Sequence, residues 1–279
     1  MTPLTPTLDH LVIDVHANMD QAVRVFQSIG FTLTERGYHT LGSINHLTIF
    51  KTDYVELLGV PNGGAPRTDI EGFPSGLNGL VFKTDNADAV YDAMREAGYA
   101  PEPPRSFSRP VKLAEGTKDA KFRTVHVPAS AVTFGRLYFC EHGTPELVWR
   151  PEWQQHKNTV TSIARVVIAA RNPMDAAEPL VRTFPHDAFH TEPDGSLILR
   201  AGPADVAFVK PAALAPYGDA APDAAGRADY MAAIHLRVRS VTEAARALAD
   251  GGVATARRDG SRIIVPARDA LNTTLVLSE

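Results

Sequence analysis

One order of signals recurs four times along this chain, and an internal repeat constrains a fold more tightly than any single motif does. Leu8 to Val15 alternates and is β-branched like a strand, and Met19 to Phe26 follows with helical spacing until Gly30 stops it. Three short apolar runs come next, Phe31 to Thr34, Ile44 to Phe50 and Tyr54 to Val60, separated by Gly, Asn and Asp residues that suit turns. This is one βαβββ unit. A second runs from Leu77 to Thr84, through a helix at Ala87 to Ala97 stopped by Gly98, to strand-like stretches at Arg123 to Val127, Leu137 to Cys140 and Glu146 to Trp149. The third opens at Ser162 to Ala169 and carries Met174-Asp175-Ala176-Ala177 where the first carries Met19-Asp20-Gln21-Ala22. The fourth opens at Met231, has its helix at Val241 to Ala249 and its stop at Gly251-Gly252, and closes on Leu275-Val276-Leu277.

A four-stranded sheet with one helix cannot bury both faces of its sheet, so the units are expected to pair. The irregular stretch Pro151 to Asn158 separates the second and third copies as a linker would. It divides the 279 residues into an N-terminal domain, 1–155, and a C-terminal domain, 156–279. Pro101 to Gly116 and Pro211 to Arg227 break the periodicity and read as long loops. In the first strand, alternation turns Leu11, Ile13 and Val15 toward the helix, and His10, Val12 and Asp14 toward the concave face that pairing creates.

An apolar content of 44% and a charged content of 22% describe an ordinary globular protein. With a net charge of -4 and a pI near 6.2 there is no basic field to concentrate phosphate polymers, so a nucleic-acid partner is not expected. No apolar run reaches the roughly 20 residues that span a bilayer. Met1-Thr2-Pro3-Leu4-Thr5-Pro6 has neither a basic segment nor a signal-like apolar stretch, so a cytoplasmic protein without a membrane partner is expected. The single cysteine, Cys140, excludes an intramolecular disulfide and sits in the apolar run Leu137 to Cys140, where it reads as a buried small hydrophobe.

Three stretches resemble the glyoxalase-like domain proteins of the vicinal-oxygen-chelate superfamily: Leu8-Asp9-His10-Leu11-Val12, Gly37-Tyr38-His39-Thr40-Leu41-Gly42-Ser43-Ile44-Asn45-His46-Leu47 and Tyr54-Val55-Glu56-Leu57-Leu58. That superfamily holds glyoxalase I, methylmalonyl-CoA epimerase, extradiol dioxygenases and the bleomycin- and fosfomycin-resistance proteins. The resemblance covers nearly the whole chain. It implies an α+β fold of four βαβββ modules paired into two glyoxalase/bleomycin-resistance-type domains. It also implies a divalent metal ion (Zn, Ni, Mn, Mg or Fe) held by one residue on the first strand and one on the last strand of each paired unit. Those positions fall on His10 and Glu56 in the first unit, and on Gly79 and Glu146 in the second. Gly79 has no side chain to offer, which leaves His10, Glu56 and Glu146, with His142 as the nearest substitute for the missing ligand. In the third and fourth units the same positions fall on Arg165, Ala207, Ala233 and Thr274. None is a usual ligand, so the site is expected in the N-terminal domain alone.

The function this implies is a metal-dependent glyoxalase-like lyase or isomerase acting on a small oxygenated metabolite. The ion would bind two neighbouring oxygens and stabilise the enolate or alkoxide formed when a carbon-bound proton leaves. Glu146 is the expected base, with Glu141 or His142 as alternatives. Asn45, His46, His126 and Arg123 are the candidate substrate contacts, and the polar run His39, Gly42, Asn45 suits a turn. Arg105, Arg109 and Lys112 could meet an anionic substrate at a cavity mouth, although exposed basic side chains usually do no more than solvate a surface. Two rivals stand beside this reading: an Fe(II) extradiol-type ring-cleaving dioxygenase, and a non-catalytic drug- or metabolite-binding protein. A homodimer is compatible with the fold, because paired units can close within one chain or swap between chains.

Overall fold

The computed structural model describes residues 4–114 and 116–279. Residues 1–3, which begin the stretch read for a signal, and residue 115, within the stretch from Pro101 to Gly116, lie outside the described residues. The first sheet contains β1 (Leu8–His16), β2 (Gly37–Tyr38), β3 (Ile44–Ile49), β4 (Tyr54–Gly59), β5 (Gly76–Thr84), β6 (Arg105–Leu113), β7 (Gly116–His126) and β8 (Arg136–His142). Its eight strands lie in the order β2-β3-β4-β1-β5-β8-β7-β6. The second contains β9 (Val160–Ala169), β10 (Phe189–Thr191), β11 (Leu197–Ala201), β12 (Ala204–Val209), β13 (Tyr230–Val238), β14 (Arg257–Asp259), β15 (Arg262–Val265) and β16 (Thr274–Ser278). These eight follow the same permutation, β10-β11-β12-β9-β13-β16-β15-β14. Helices α1 (Met19–Ser28), α2 (Thr68–Glu71), α3 (Ala87–Glu96), α4 (Pro173–Thr183) and α5 (Val241–Asp250) complete an α+β chain of two repeated domains. The first and second units join through the antiparallel pairing of β1 with β5, so they close within one chain.

The helices form where the spacing predicts. In α1 the buried residues are Met19, Ala22 and Phe26, one stripe at helical spacing, and Gly30 follows at φ +94°, the left-handed region that a side chain resists. The Asn86 side chain caps α3 by accepting from the Ala89 amide at 3.0 Å, and Ser240 caps α5 through the Glu243 amide at 3.2 Å. One large apolar cluster takes the helix side of both sheets. Leu11, Ile13, Phe26 and Phe82 come to it from the N-terminal half, and Ile163, Val166, Leu180 and Leu277 from the C-terminal half. Each concave face holds a separate cluster.

Three strand expectations need correction. Phe31 to Thr34 forms no strand, and β2 is only Gly37–Tyr38, because Phe31 turns into the helix-side core instead of pairing. Pro101 to Gly116 is not a long loop: most of it is β6, paired along its length with β7. Pro110 is tolerated there because β6 is an edge strand. The Thr40 amide then donates to the Ser108 carbonyl at 3.0 Å, which draws the β2 and β6 edges together and curls the sheet around its concave face. Glu146 to Trp149 is not a strand either, since Pro145–Leu147 is a 3-10 turn after β8 has ended at His142.

Pro211 to Arg227 is a plug. Its 3-10 segment Pro211–Ala220 places Leu214, Tyr217 and Ala220 in the concave cluster of the second sheet, and the Tyr217 hydroxyl lies 2.8 Å from His235 Nε2. The stretch from Pro151 to Asn158 is pinned. His156 Nε2 donates to the Ile49 carbonyl at 2.9 Å, its Nδ1 accepts from the Thr32 amide at 3.1 Å, and burial lowers its pKa, so the ring is held neutral. Asp53 ties the two sheets by accepting from the Ile163 amide at 2.9 Å. No helix among the described residues is long and apolar enough to cross a membrane.

Candidate functional site

The curled first sheet forms a cavity with a free volume of about 80 Å³, with His10, Asn45, Glu56, Arg109, His126 and Tyr138 among its lining residues. Alternation along β1 carries His10 inward, and its partner strand β4 presents Glu56 beside it. The two are 3% and 6% exposed, and His10 Nε2 stands 3.6 Å from Glu56 Oε2. The register of β1 against β5 slips between Leu8 and His10, a bulge that leaves Asp9 unpaired and frees it from strict alternation. Its carboxylate therefore meets two imidazoles, His10 Nδ1 at 2.6 Å and His142 Nε2 at 2.9 Å. His10 is further fixed by stacking on Tyr54, with ring centroids 4.3 Å apart, and by the Tyr138 hydroxyl 3.4 Å from Nε2.

The electrostatics follow from burial and from these partners. Burial pushes the Asp9 carboxyl upward, but the charge and hydrogen bonds of His142 and His10 outweigh it and hold the group below its ordinary value. Asn45 Nδ2 donates to Glu56 Oε1 at 2.6 Å and to His39 Nε2 at 3.2 Å. Burial lowers the His39 pKa to about 4, which keeps Nε2 an acceptor at neutral pH. The polar run thus does more than build a turn: Gly42 at φ +88° makes the turn, while His39 and Asn45 reach the cavity. Burial likewise lowers His126 to about 4, and its ring stacks on Tyr138 at 4.5 Å. Asp14, paired with Arg136, is raised to about 6 because desolvation exceeds the attraction of the guanidinium. The Cys140 thiol is pushed up by burial and stays protonated, in keeping with a buried small hydrophobe.

Several expected site residues lie elsewhere. Glu146 is exposed on the 3-10 turn, outside the cavity, and does not join His10 and Glu56. Glu141 faces the helix side, where it accepts from the Ala87 amide at 2.8 Å and pairs with Arg123 at 3.4 Å. Arg123 is drawn to the same surface by Asp88 at 2.8 Å and does not reach the cavity. His46 points away from Asn45 along β3, bonded to the Thr34 carbonyl at 2.8 Å. His142 is buried and turned toward Asp9, so it does not replace the missing ligand next to Glu56. Glu141 and His46 occupy the face opposite the cavity, which alternation without a known register could not decide, and the early end of β8 displaced Glu146. Asp9 was missed because only a bulge brings it inward.

Strand register identifies what fills the remaining positions. Glu56 pairs with Val12, two residues beyond His10; the equivalent of Glu56 on β8 pairs with Val81, two beyond Gly79, and is Tyr138. The same rule gives Ala207 in the third unit, and Val276 in place of Thr274 in the fourth. Gly79 is dictated by packing, since a Cβ there would lie 2.6 Å from Val12 Cβ. Gly79→Ala is expected to destabilise the protein by about 1–3 kcal/mol, read by urea unfolding.

The donors present fit a divalent ion at His10 and Glu56. Two ligands each about 2.1 Å from an ion at a tetrahedral angle lie about 3.4 Å apart. The 3.6 Å between His10 Nε2 and Glu56 Oε2 matches that spacing. Asp9 on Nδ1 fixes the tautomer that turns the Nε2 lone pair inward. Beside this pair, Asp9, Cys140 and His142 bring a carboxylate oxygen, a sulfur and an imidazole nitrogen within 4.8 Å of one another.

A family model described as a glyoxalase-like domain matches residues 8–184. No curated protein matches by sequence. Among solved structures, a hypothetical protein from Staphylococcus aureus superposes with a TM-score of 0.66 at 14% identity, over 98% of both chains. A mutant of 4-hydroxymandelate synthase from Streptomyces coelicolor gives 0.57 at 14% identity, over 98% of this chain and 93% of the other. A xylose isomerase-like TIM barrel/4-hydroxyphenylpyruvate dioxygenase fusion protein gives 0.61 at 12% identity, over 99% of this chain and 49% of that one. At such identities these neighbours establish a shared fold. With its repeated architecture and a family match over more than half its length, the chain belongs to the glyoxalase-like domain family.

Proposed function

We propose that the N-terminal domain, residues 1–155, is a metal-dependent lyase or isomerase for a small oxygenated metabolite, and that the C-terminal domain, 156–279, is a degenerate copy. The observation that carries this reading is the buried His10–Glu56 pair, 3.6 Å apart and facing one cavity. A bound divalent ion would draw two neighbouring substrate oxygens together and stabilise negative charge on them. Asp9 orients His10, and Asn45 holds one oxygen of Glu56 so that the other stays toward His10. With Glu141, Glu146 and His142 outside the cavity, a proton leaving the substrate would pass to Glu56 or to the neutral imidazole of His126. The plugged concave face of the second sheet supports a site in the first half alone. A cytoplasmic location belongs to this proposal as well.

A ring-opening dioxygenase needs two imidazoles and a carboxylate around one open point. His142 gives its Nε2 to Asp9 instead, so the lyase or isomerase reading is preferred. Metal analysis of the purified protein beside His10→Ala and Glu56→Gln tests it. About one ion per chain is expected in the parent and at least about tenfold less in each variant. Equal metal in all three would overturn the reading, and oxygen uptake with catechols would redirect it to the dioxygenase.

A further inference from the structure

We infer that the cavity takes a 2-hydroxy carboxylic acid, its carboxylate seated on the Nε–Nη2 edge of Arg109. This rests on the site proposed above and names its substrate class. Arg109 lies on β6, is 3% exposed and lines the cavity. Its Nε and Nη2 are both buried without a hydrogen-bond partner. These two donors share one edge of the guanidinium plane and present the parallel fork that matches the two oxygens of a carboxylate. The other arginines of the cavity are already engaged: Arg67 with Asp69 at 2.7 Å, Arg105 with Glu102 at 3.0 Å, and Arg136 with Asp14. Arg109 has no ion-pair partner among the described residues. A buried guanidinium in that condition is costly unless an anion meets it.

The position of Arg109 ties the anion to the proposed reacting end. A Cβ on Gly37 would lie 2.2 Å from Asn45 Oδ1 and 2.9 Å from Arg109 Cδ, so these two side chains meet over a glycine that leaves them room. Asn45 in turn donates to Glu56 at 2.6 Å, which puts Arg109 one side chain away from Glu56. The Glu56 carboxylate can only accept, so the Asn45 amide is oriented with Nδ2 toward it, and Oδ1 is left buried with no donor. A hydroxyl next to the bound carboxylate would supply that donor. One unpaired cation beside Glu56 suits a single negative charge and disfavours a phosphate dianion. Phe107 and Phe122, stacked at 5.2 Å, offer an apolar wall for the body of the acid.

Calorimetric titration of the full chain with 3-phenyllactate, 3-phenyllactamide and phenyl phosphate tests the assignment. The acid should bind at least about tenfold tighter than the amide, and Arg109→Gln should weaken it at least about tenfold. Arg109→Lys keeps the charge without the fork and should fall between, which covers the case in which Arg109→Gln does not fold. Amide binding equal to acid binding, unchanged acid affinity in the variants, no acid binding to the parent, or tighter binding of phenyl phosphate would each overturn it. Metal content is measured on the same samples. Loss of acid binding in Arg109→Gln with metal retained upholds this inference, whereas metal retained in His10→Ala defeats the metal reading and leaves the Arg109 site standing.

Discussion

Replacing Asp9 with alanine should cost about 3–5 kcal/mol of folding stability, and Asp9→Asn should weaken metal binding about 10–100-fold. Asp9 is fully buried and is the common partner of His10 at 2.6 Å and His142 at 2.9 Å. Alanine strands two imidazoles in a dry site, where water cannot replace the lost acceptor. Asparagine preserves the shape and one acceptor oxygen, but it loses the charge and turns an NH2 toward the second contact of His142, so the bond that enforces the tautomer turning His10 Nε2 inward is weakened. Urea unfolding of Asp9→Ala and metal titration of Asp9→Asn read the two effects separately. Metal affinity in Asp9→Asn equal to that of the parent would mean that Asp9 has no part in orienting His10.

Asp53→Asn should have the opposite sign and make the protein more stable near neutral pH. Burial raises the Asp53 pKa from 3.8 to about 6, against the hydrogen bonds from Ile163 and Thr52 that lower it. A carboxyl whose folded-state pKa is raised contributes stability that is fully present below about pH 3.8 and is lost as pH climbs through about 6. At pH 7 the ionised group therefore works against the contact between the two sheets. Asparagine keeps the oxygen that accepts from the Ile163 amide, and the Thr52 hydroxyl, 3.0 Å away, can turn to accept from the new NH2. A gain on the order of 2–3 kcal/mol at pH 7 follows, shrinking toward zero near pH 4. Parallel urea melts at the two pH values check it. An equal gain at both would show that the carboxyl does not titrate between them.

Much of the fold could be read from periodicity. The units beginning at Leu8, Leu77, Ser162 and Met231 each start with a strand and a helix, and they became two sheets of identical strand order. The inward placement of His10 was also legible, because His10 to Asp14 alternate, and that of Glu56 was implied by the family resemblance. Reasoning from alternation failed wherever the backbone departs from regularity. The bulge at Asp9 turned an outward residue inward, and the early end of β8 left Glu146 on an exposed turn. Arg109 read as a loop residue, either a contact for an anion at a cavity mouth or a solvated charge, because Pro101 to Gly116 looked like a loop; as part of β6 it lines the cavity.

The residue pattern by itself determined that four βαβββ units exist and that they must pair, because both follow from spacing and side-chain type within one unit; which positions could hold a metal was implied by the family resemblance. Tertiary structure alone decided which groups meet. Tyr138 and Gly79 are at the other two ligand positions because strand register aligns them with Glu56 and His10. The C-terminal hollow is filled because Pro211–Ala220 folds back over it. Register, bulges and loop packing are set by contacts between segments far apart in the chain, and local periodicity carries no record of those contacts.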